Sequence, residues 1–148
     1  METDFGKVRI VAGMPMYNEE ETIGTVVTMA LRHVDEVICI DDGSSDSSAR
    51  IAEACGATVI RHRANQGYGA ALKTLFKTTR GSDAEILVVL DSDGQHDTSD
   101  IPKLIQPILD DEADFTIGSR FVEGGEGNDM PAYRRLGIKV ITAASNLT

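Results

Sequence analysis

Short apolar runs alternate with stretches of helical periodicity along most of the chain. Residues 8–14, 37–40, 58–60, 86–90 and 115–118 are apolar-rich and bounded by turn residues, which predicts five strands. Between them the apolar positions recur at helical spacing. Asn18 is placed to cap a first helix, with Glu21 three residues on and Ile23, Val26, Val27, Ala30 and Leu31 as its inner stripe. A second helix carries Ile51, Ala52 and Cys55 and stops at Gly56. A third covers 67–79, with Leu72, Leu75 and Phe76 facing inward and Gly81 at its end. Pro102 suits the first turn of a fourth, which carries Leu104, Ile105, Ile108 and Leu109. A last helix begins at Tyr133, with Leu136, Val140, Ile141 and Ala144 in helical register. Strand and helix alternating over short connections predict an α/β fold, a mostly parallel sheet flanked by helices. The run 86–90 is the most apolar and is expected at the sheet's centre, covered on both faces.

Length and composition narrow the class. The chain has 148 residues, enough for a single domain with a core, and 41% hydrophobic with 26% charged residues excludes wholesale disorder. The formal charge of −10 argues against a nucleic-acid partner, which needs a basic face. Cys39 and Cys55 make no disulfide framework and suit a reducing compartment. Residues 1–7 have no apolar leader core, and the run 86–90 is far below a membrane span. A cytoplasmic location is expected, with docking at the cytoplasmic face of a membrane left open. The glycine- and acid-rich stretch 123–129 is expected to be a loop within the domain.

The chemistry-bearing residues fall at the carboxyl ends of strands, where open α/β sheets bind ligands. Pro15, Tyr17, Asn18 and Glu19 follow the first, and Asp41, Asp42, Gly43 and Ser44 the second. Asp91, Ser92, Asp93, Gly94, Gln95 and His96 follow the fourth, and Ser119 and Arg120 the fifth. Two carboxylates one residue apart, Asp91 and Asp93, can turn to one hard cation, Mg²⁺ or Mn²⁺, that keeps positions open for phosphates. Such an ion would supply the positive charge that an acidic protein lacks; the competing reading is a helix cap in a solvated loop. Asp41 and Asp42 could accept from a base or a ribose, or could simply shape an Asx-turn. Tyr17 offers a stacking face, and Glu19 either a ligand contact or a first-turn acid. The stretch Asn65, Gly67, Gly69, Ala70 lacks the third glycine of a dinucleotide fingerprint, because Leu72 stands there. Arg120 could meet a diphosphate or form a surface ion pair.

In order, Pro15-Met16-Tyr17-Asn18-Glu19, Asp41-Asp42-Gly43-Ser44-Ser45-Asp46, Asn65-Gln66-Gly67-Tyr68-Gly69-Ala70-Ala71, Asp91-Ser92-Asp93-Gly94-Gln95-His96 and Gly118-Ser119-Arg120-Phe121 resemble the inverting family 2 glycosyltransferases. The nearest likeness is the branch that makes polyprenyl-phosphate sugars, dolichol-phosphate mannosyltransferases among them. The resemblance implies a GT-A fold, a UDP- or GDP-sugar donor and a polyprenyl-phosphate acceptor. It implies donor contacts from Pro15, Tyr17, Glu19, Asp42, Gly67 and Ser92, and a metal and diphosphate site from Asp91, Asp93 and Gln95. Arg120 matches a residue near the diphosphate and sugar, which makes Asp91, Asp93 and Arg120 the catalytic candidates. One departure is Thr98, where the family has proline. Members continue past the position of Thr148 into an acceptor-binding segment, so residues 1–148 are expected to form the donor-binding part of one catalytic domain. Two other readings stand beside this one. A donor-binding module without catalysis would keep the same rim, and a haloacid dehalogenase-type phosphohydrolase would share the Asp-x-Asp-Gly after a strand.

Overall fold

In the computed structural model, which describes residues 8–118, the alternation of the sequence becomes β1 (Ile10–Met16), α1 (Ile23–Ala30), β2 (Glu36–Asp41), α2 (Ser48–Ala54), β3 (Thr58–Arg61), α3 (Tyr68–Arg80), β4 (Ile86–Val89) and α4 (Ile101–Leu109). Each belongs to the unit ending at Thr116. The four strands form one parallel sheet in the order β3-β2-β1-β4. Met16, Asp41 and Arg61 stand abreast at its carboxyl edge. The chain runs outward from β1 to β3 and then returns to the far side of β1, so the strand order reverses between β1 and β4. That reversal opens a crevice at the strand ends.

Period-two alternation divides the strands between two cores. Ala12, Met14, Met16, Val37, Cys39, Ile86 and Val88 face α1, α2 and α4, whose Ile23, Val26, Val27, Ala30, Ala52, Ile101 and Ile105 complete the larger cluster. Val11, Ile38 and Ile40 face α3, which meets them with Ala71 and Leu75. Gly13 lets α3 sit close: a Cβ there would lie 2.4 Å from a Leu75 methyl. Cys39 is fully buried, and burial, with the nearby Asp41 charge, pushes its thiol up to about 12, so it behaves as a small hydrophobe. Both cysteines are free thiols, as expected.

Several expectations need correction. The run at β4 is not central among the described residues, because β4 pairs with β1 only and β1 and β2 hold the interior. α3 packs over β1 and β2, which leaves Val89 37% exposed. Phe76 points outward from α3 at 52% exposure, since Ala71, Leu75 and Thr79 already fill its inner stripe. Residues 115–118 form no strand: Phe115 is 75% exposed, and the Thr116 hydroxyl donates to the Leu104 carbonyl (2.7 Å). Asn18 does not cap α1, which starts at Ile23 after Thr22. It adopts a left-handed φ of 54°, tolerated by asparagine, and its side-chain oxygen accepts from the Ser45 N–H (2.9 Å). The last helix, the 123–129 loop and Arg120 lie outside the described residues.

Gly43, the turn residue after β2, has φ 79°, and a Cβ on it would sit 2.6 Å from the Ala64 carbonyl carbon. Gly43→Ala combines a left-handed penalty with a clash against backbone, and a loss of about 2 kcal/mol is expected. Urea denaturation checks this; an unchanged midpoint would mean that the 64–65 loop gives way freely.

Candidate functional site

The crevice at the reversal point is a cleft of about 320 Å³ lined by Pro15 and Met16 at the end of β1, Tyr17 and Glu19 after it, Asp42 after β2, and Asp91, Ser92 and Asp93 after β4. Asn65, Gly67, Tyr68 and Ala71, from the loop before α3 and its first turn, close the remaining side. Three separate rim segments and the glycine stretch thus converge, as strand-end placement predicts.

The second strand ends in two buried aspartates with different duties. Asp41 Oδ1 accepts from the Ser44 N–H (2.9 Å), the Asx-turn alternative, and its Oδ2 lies 2.9 Å from Arg61 Nε. Asp42 instead faces the α3 side. Its Oδ1 accepts from His62 Nδ1 (2.7 Å) and the Gln66 N–H (3.0 Å), and its Oδ2 from the Gly67 N–H (2.7 Å). Burial pushes this carboxyl up, but the His62 bond and the two backbone donors outweigh it and hold it below the usual carboxylate range. The far side of the His62 ring meets Thr74 Oγ1 (2.9 Å). Asp42 therefore lines the cleft while its oxygens are engaged in clamping the 65–67 loop.

The Asp91-Ser92-Asp93 segment is pinned from behind. Ser92, only 4% exposed, donates its hydroxyl to the Pro15 carbonyl (2.9 Å), and its own carbonyl accepts from Thr22 Oγ1 (2.8 Å). Ser92 thus lines the cleft with its hydroxyl committed to the scaffold. With the middle residue fixed, the flanking carboxylates stand at the cleft. Asp93 Oδ1 accepts from the Gln95 N–H (2.9 Å), which closes a tight turn. Asp91 Oδ1 accepts from the Tyr68 hydroxyl (3.2 Å), and its N–H donates to His96 Nδ1 (3.1 Å). Burial, together with the charge and hydrogen bond of Asp91, raises the Tyr68 phenol, so it stays a donor. Gln95 is exposed and is not among the cleft residues.

Glu19 is positioned through its backbone. Its N–H donates to Ser48 Oγ (2.7 Å), and Ser48 is hydrogen-bonded to Asp46. Burial opposes ionisation of Asp46, but the Ser48 and Glu20 donors prevail and lower its carboxyl. Tyr17 keeps 46% of its surface exposed beside the cleft.

Sequence reasoning missed His62, Tyr68 and Thr22. His62 directly follows β3, the one strand end that had been assigned no chemistry, so its position carried a usable signal. Tyr68, the aromatic that opens α3 after the glycine, carried another. The partnership of Thr22 with Ser92 had no local signal, because the two are far apart in the chain.

The cleft carries the carboxylates of Glu19, Asp42, Asp91 and Asp93, and no Lys or Arg lines it among the described residues. Among the described residues, no cluster of three or more His, Cys, Asp or Glu could hold a metal by itself. Two half-exposed carboxylates of hard oxygen character match a Mg²⁺ or Mn²⁺ ion that takes its other ligands from a substrate diphosphate and water. The donor set fits such an ion. No helix among the described residues is long and apolar enough to cross a membrane.

A model of glycosyl transferase family 2 matches residues 12–146. UDP-N-acetylglucosamine–dolichyl-phosphate N-acetylglucosaminyltransferase of Methanococcus voltae is 34% identical over 142 residues, covering 84% of this chain and 57% of that protein. Dolichol-phosphate mannosyltransferase of Pyrococcus furiosus is 34% identical over 138 residues, covering 88% of this chain and 38% of the relative. Among solved structures, Mycobacterium tuberculosis glucosyl-3-phosphoglycerate synthase, in complex with Mn²⁺, UDP and glucosyl-3-phosphoglycerate, matches with a TM-score of 0.58. It shares 30% identity over 68% of this chain and 39% of its own. The chain spans 57% and 38% of the lengths of these two relatives. The order of motifs, the parallel GT-A sheet and these matches agree: the chain belongs to glycosyl transferase family 2.

Proposed function

We propose that this protein binds a UDP- or GDP-linked sugar and transfers the sugar, with inversion, to a polyprenyl phosphate such as dolichyl phosphate presented at a cytoplasmic membrane surface. The observation that carries this reading is the cleft itself: a crevice of about 320 Å³ at the switch point, rimmed by carboxylates and without a cation of its own among the described residues. An anionic diphosphate is repelled from such a place, and a divalent ion that accompanies it turns the repulsion into attraction. The names of the Methanococcus and Pyrococcus relatives support the lipid-phosphate acceptor.

Asp91 and Asp93 would hold the ion, with Gln95 beside them on the same turn. When bound, the ion would supply Lewis-acid neutralisation of the departing nucleoside diphosphate. Tyr17 and Pro15 offer the nucleoside an apolar face, and Glu19 lies on the same wall. Asp42 holds the 65–67 loop, which puts Gly67 and the amino end of α3 at the cleft, where the helix dipole favours anions. Tyr68 steadies Asp91. Arg120, beyond the described residues, is assigned to the diphosphate and sugar. A phosphate acceptor is already anionic, so its oxygen attacks the anomeric carbon without a general base; the glycosidic bond to the leaving diphosphate breaks as the new one forms.

Thermal unfolding with UDP-, GDP- and dTDP-sugars, each with and without Mn²⁺, tests the reading. One nucleotide class should raise Tm by roughly 5–10 °C at a hundredfold excess over Kd, and only with the metal present. Equal or absent shifts across the whole panel would overturn it.

A further inference from the structure

The charge of this acidic chain is unevenly spread. Residues 54–82 contain no Asp or Glu but carry Arg61, Arg63, Lys73, Lys77 and Arg80, a net +5 within a total of −10. Three of these cations lie on α3, a 13-residue helix without a single acid. Lys73, Lys77 and Arg80 are exposed and make no ion pair among the described residues. Their spacing sets them on one stripe, and Phe76 stands among them with 52% of its surface exposed. The four side chains and Gly81 line a concavity of about 500 Å³, while Ala71, Leu75 and Thr79 hold the opposite face of the helix to the sheet.

We propose that this outer face of α3, Lys73, Phe76, Lys77 and Arg80, is a docking surface for an anionic lipid bilayer. An exposed aromatic ring flanked by cations that make no ion pair among the described residues matches the two-layer chemistry of a membrane interface. The ring enters the boundary with the acyl chains, while the long cationic stems reach the phosphates. A nucleic-acid backbone would match the cations but gives the exposed Phe76 ring no acyl layer to enter. At about 1.5 Å per residue, the stripe begins roughly 8 Å along the helix from Tyr68. Docking on this flank therefore brings the cleft beside the bilayer. The surface needs no particular acceptor, so it stands apart from the transfer reaction proposed above.

The test is flotation of the full chain with phosphatidylcholine vesicles and with vesicles in which about a third of the lipid is phosphatidylglycerol. Binding to the anionic vesicles only, reversed by salt, is the expected result. Lys73→Ala with Lys77→Ala should weaken it about 25-fold, some fivefold per lysine. Phe76→Ser should weaken binding while leaving its salt dependence unchanged. Helical circular dichroism and Mn²⁺-dependent UDP or GDP affinity, measured on the same samples, should match the unmodified chain, which separates failure of docking from failure of donor binding. Variants that float as well as the unmodified chain, or an unmodified chain that ignores anionic vesicles, would overturn the proposal. So would a patch-dependent dimer in size-exclusion chromatography, which would make this face a contact between copies.

Discussion

Asp93→Asn and Asp91→Asn should each lower Mn²⁺-dependent affinity for UDP or GDP at least a hundredfold, about 2.7 kcal/mol, while Tm stays almost unchanged. The stability half of this expectation follows from the local bonds. An asparagine oxygen at 93 can still accept from the Gln95 N–H, and one at 91 can still accept from the Tyr68 hydroxyl. Neither side chain is buried, so the change removes charge without creating a cavity. The sign should invert when the metal is withheld. Each variant removes one of four carboxylates from the cleft, so the weak metal-free affinity for the nucleotide should rise. Calorimetric titration with and without Mn²⁺ measures both halves. Unchanged metal-dependent affinity in both variants would return Asp91 and Asp93 to the role of loop-capping residues.

The second large effect is expected at Asp42, and it is an effect on folding as much as on binding. Asp42→Asn keeps the shape but turns one acceptor into a donor facing donors already in place: His62 Nδ1 and the Gln66 and Gly67 N–H groups. At 4% exposure, little water can compensate. A loss of about 3 kcal/mol, or roughly 10 °C in Tm, is expected, with release of the 65–67 loop and weaker nucleotide binding. The pH dependence has a definite direction. The folded carboxyl lies below its ordinary value, so its stabilisation is complete above the unfolded-state value of about 4 and is lost as pH falls through the lower folded value. The gap between the unmodified chain and Asp42→Asn should therefore be full at neutral pH and close in acid. Thermal scans from neutral to strongly acid buffer would show it; a gap independent of pH would mean that shape, not charge, holds the loop.

How far the sequence sufficed depends on the range of the interactions involved. Periodicity located α1 and its buried Ile23, Val26, Val27 and Ala30, because that stripe is written within a few turns of one helix. Strand ends placed Pro15, Tyr17, Glu19, Asp42, Asp91 and Asp93 on one rim, because parallel topology forces the carboxyl ends together. Hydrophobicity alone did not give the place that β4 takes among the described residues: ILVV reads alike in the middle of a sheet and beside β1 with one face partly open. Asn18 had the composition of a cap, and only the neighbouring Ser44-Ser45 turn shows that its bonds run there instead. Asp42 illustrates the same limit at the site. Its residue type suggested a hand extended to a ligand, and the loop that takes up its oxygens comes more than twenty positions later in the chain.

The interlock of Gly13 and Leu75 reaches beyond packing. A leucine seated where the sheet offers no side chain keys α3 like a tooth in a notch, so the helix cannot slip by the ~5.4 Å of one turn without expelling it. Tyr68 at one end and Arg80 at the other are thereby the two ends of a single rigid strut. Whatever seizes one end is held at a set distance from the other.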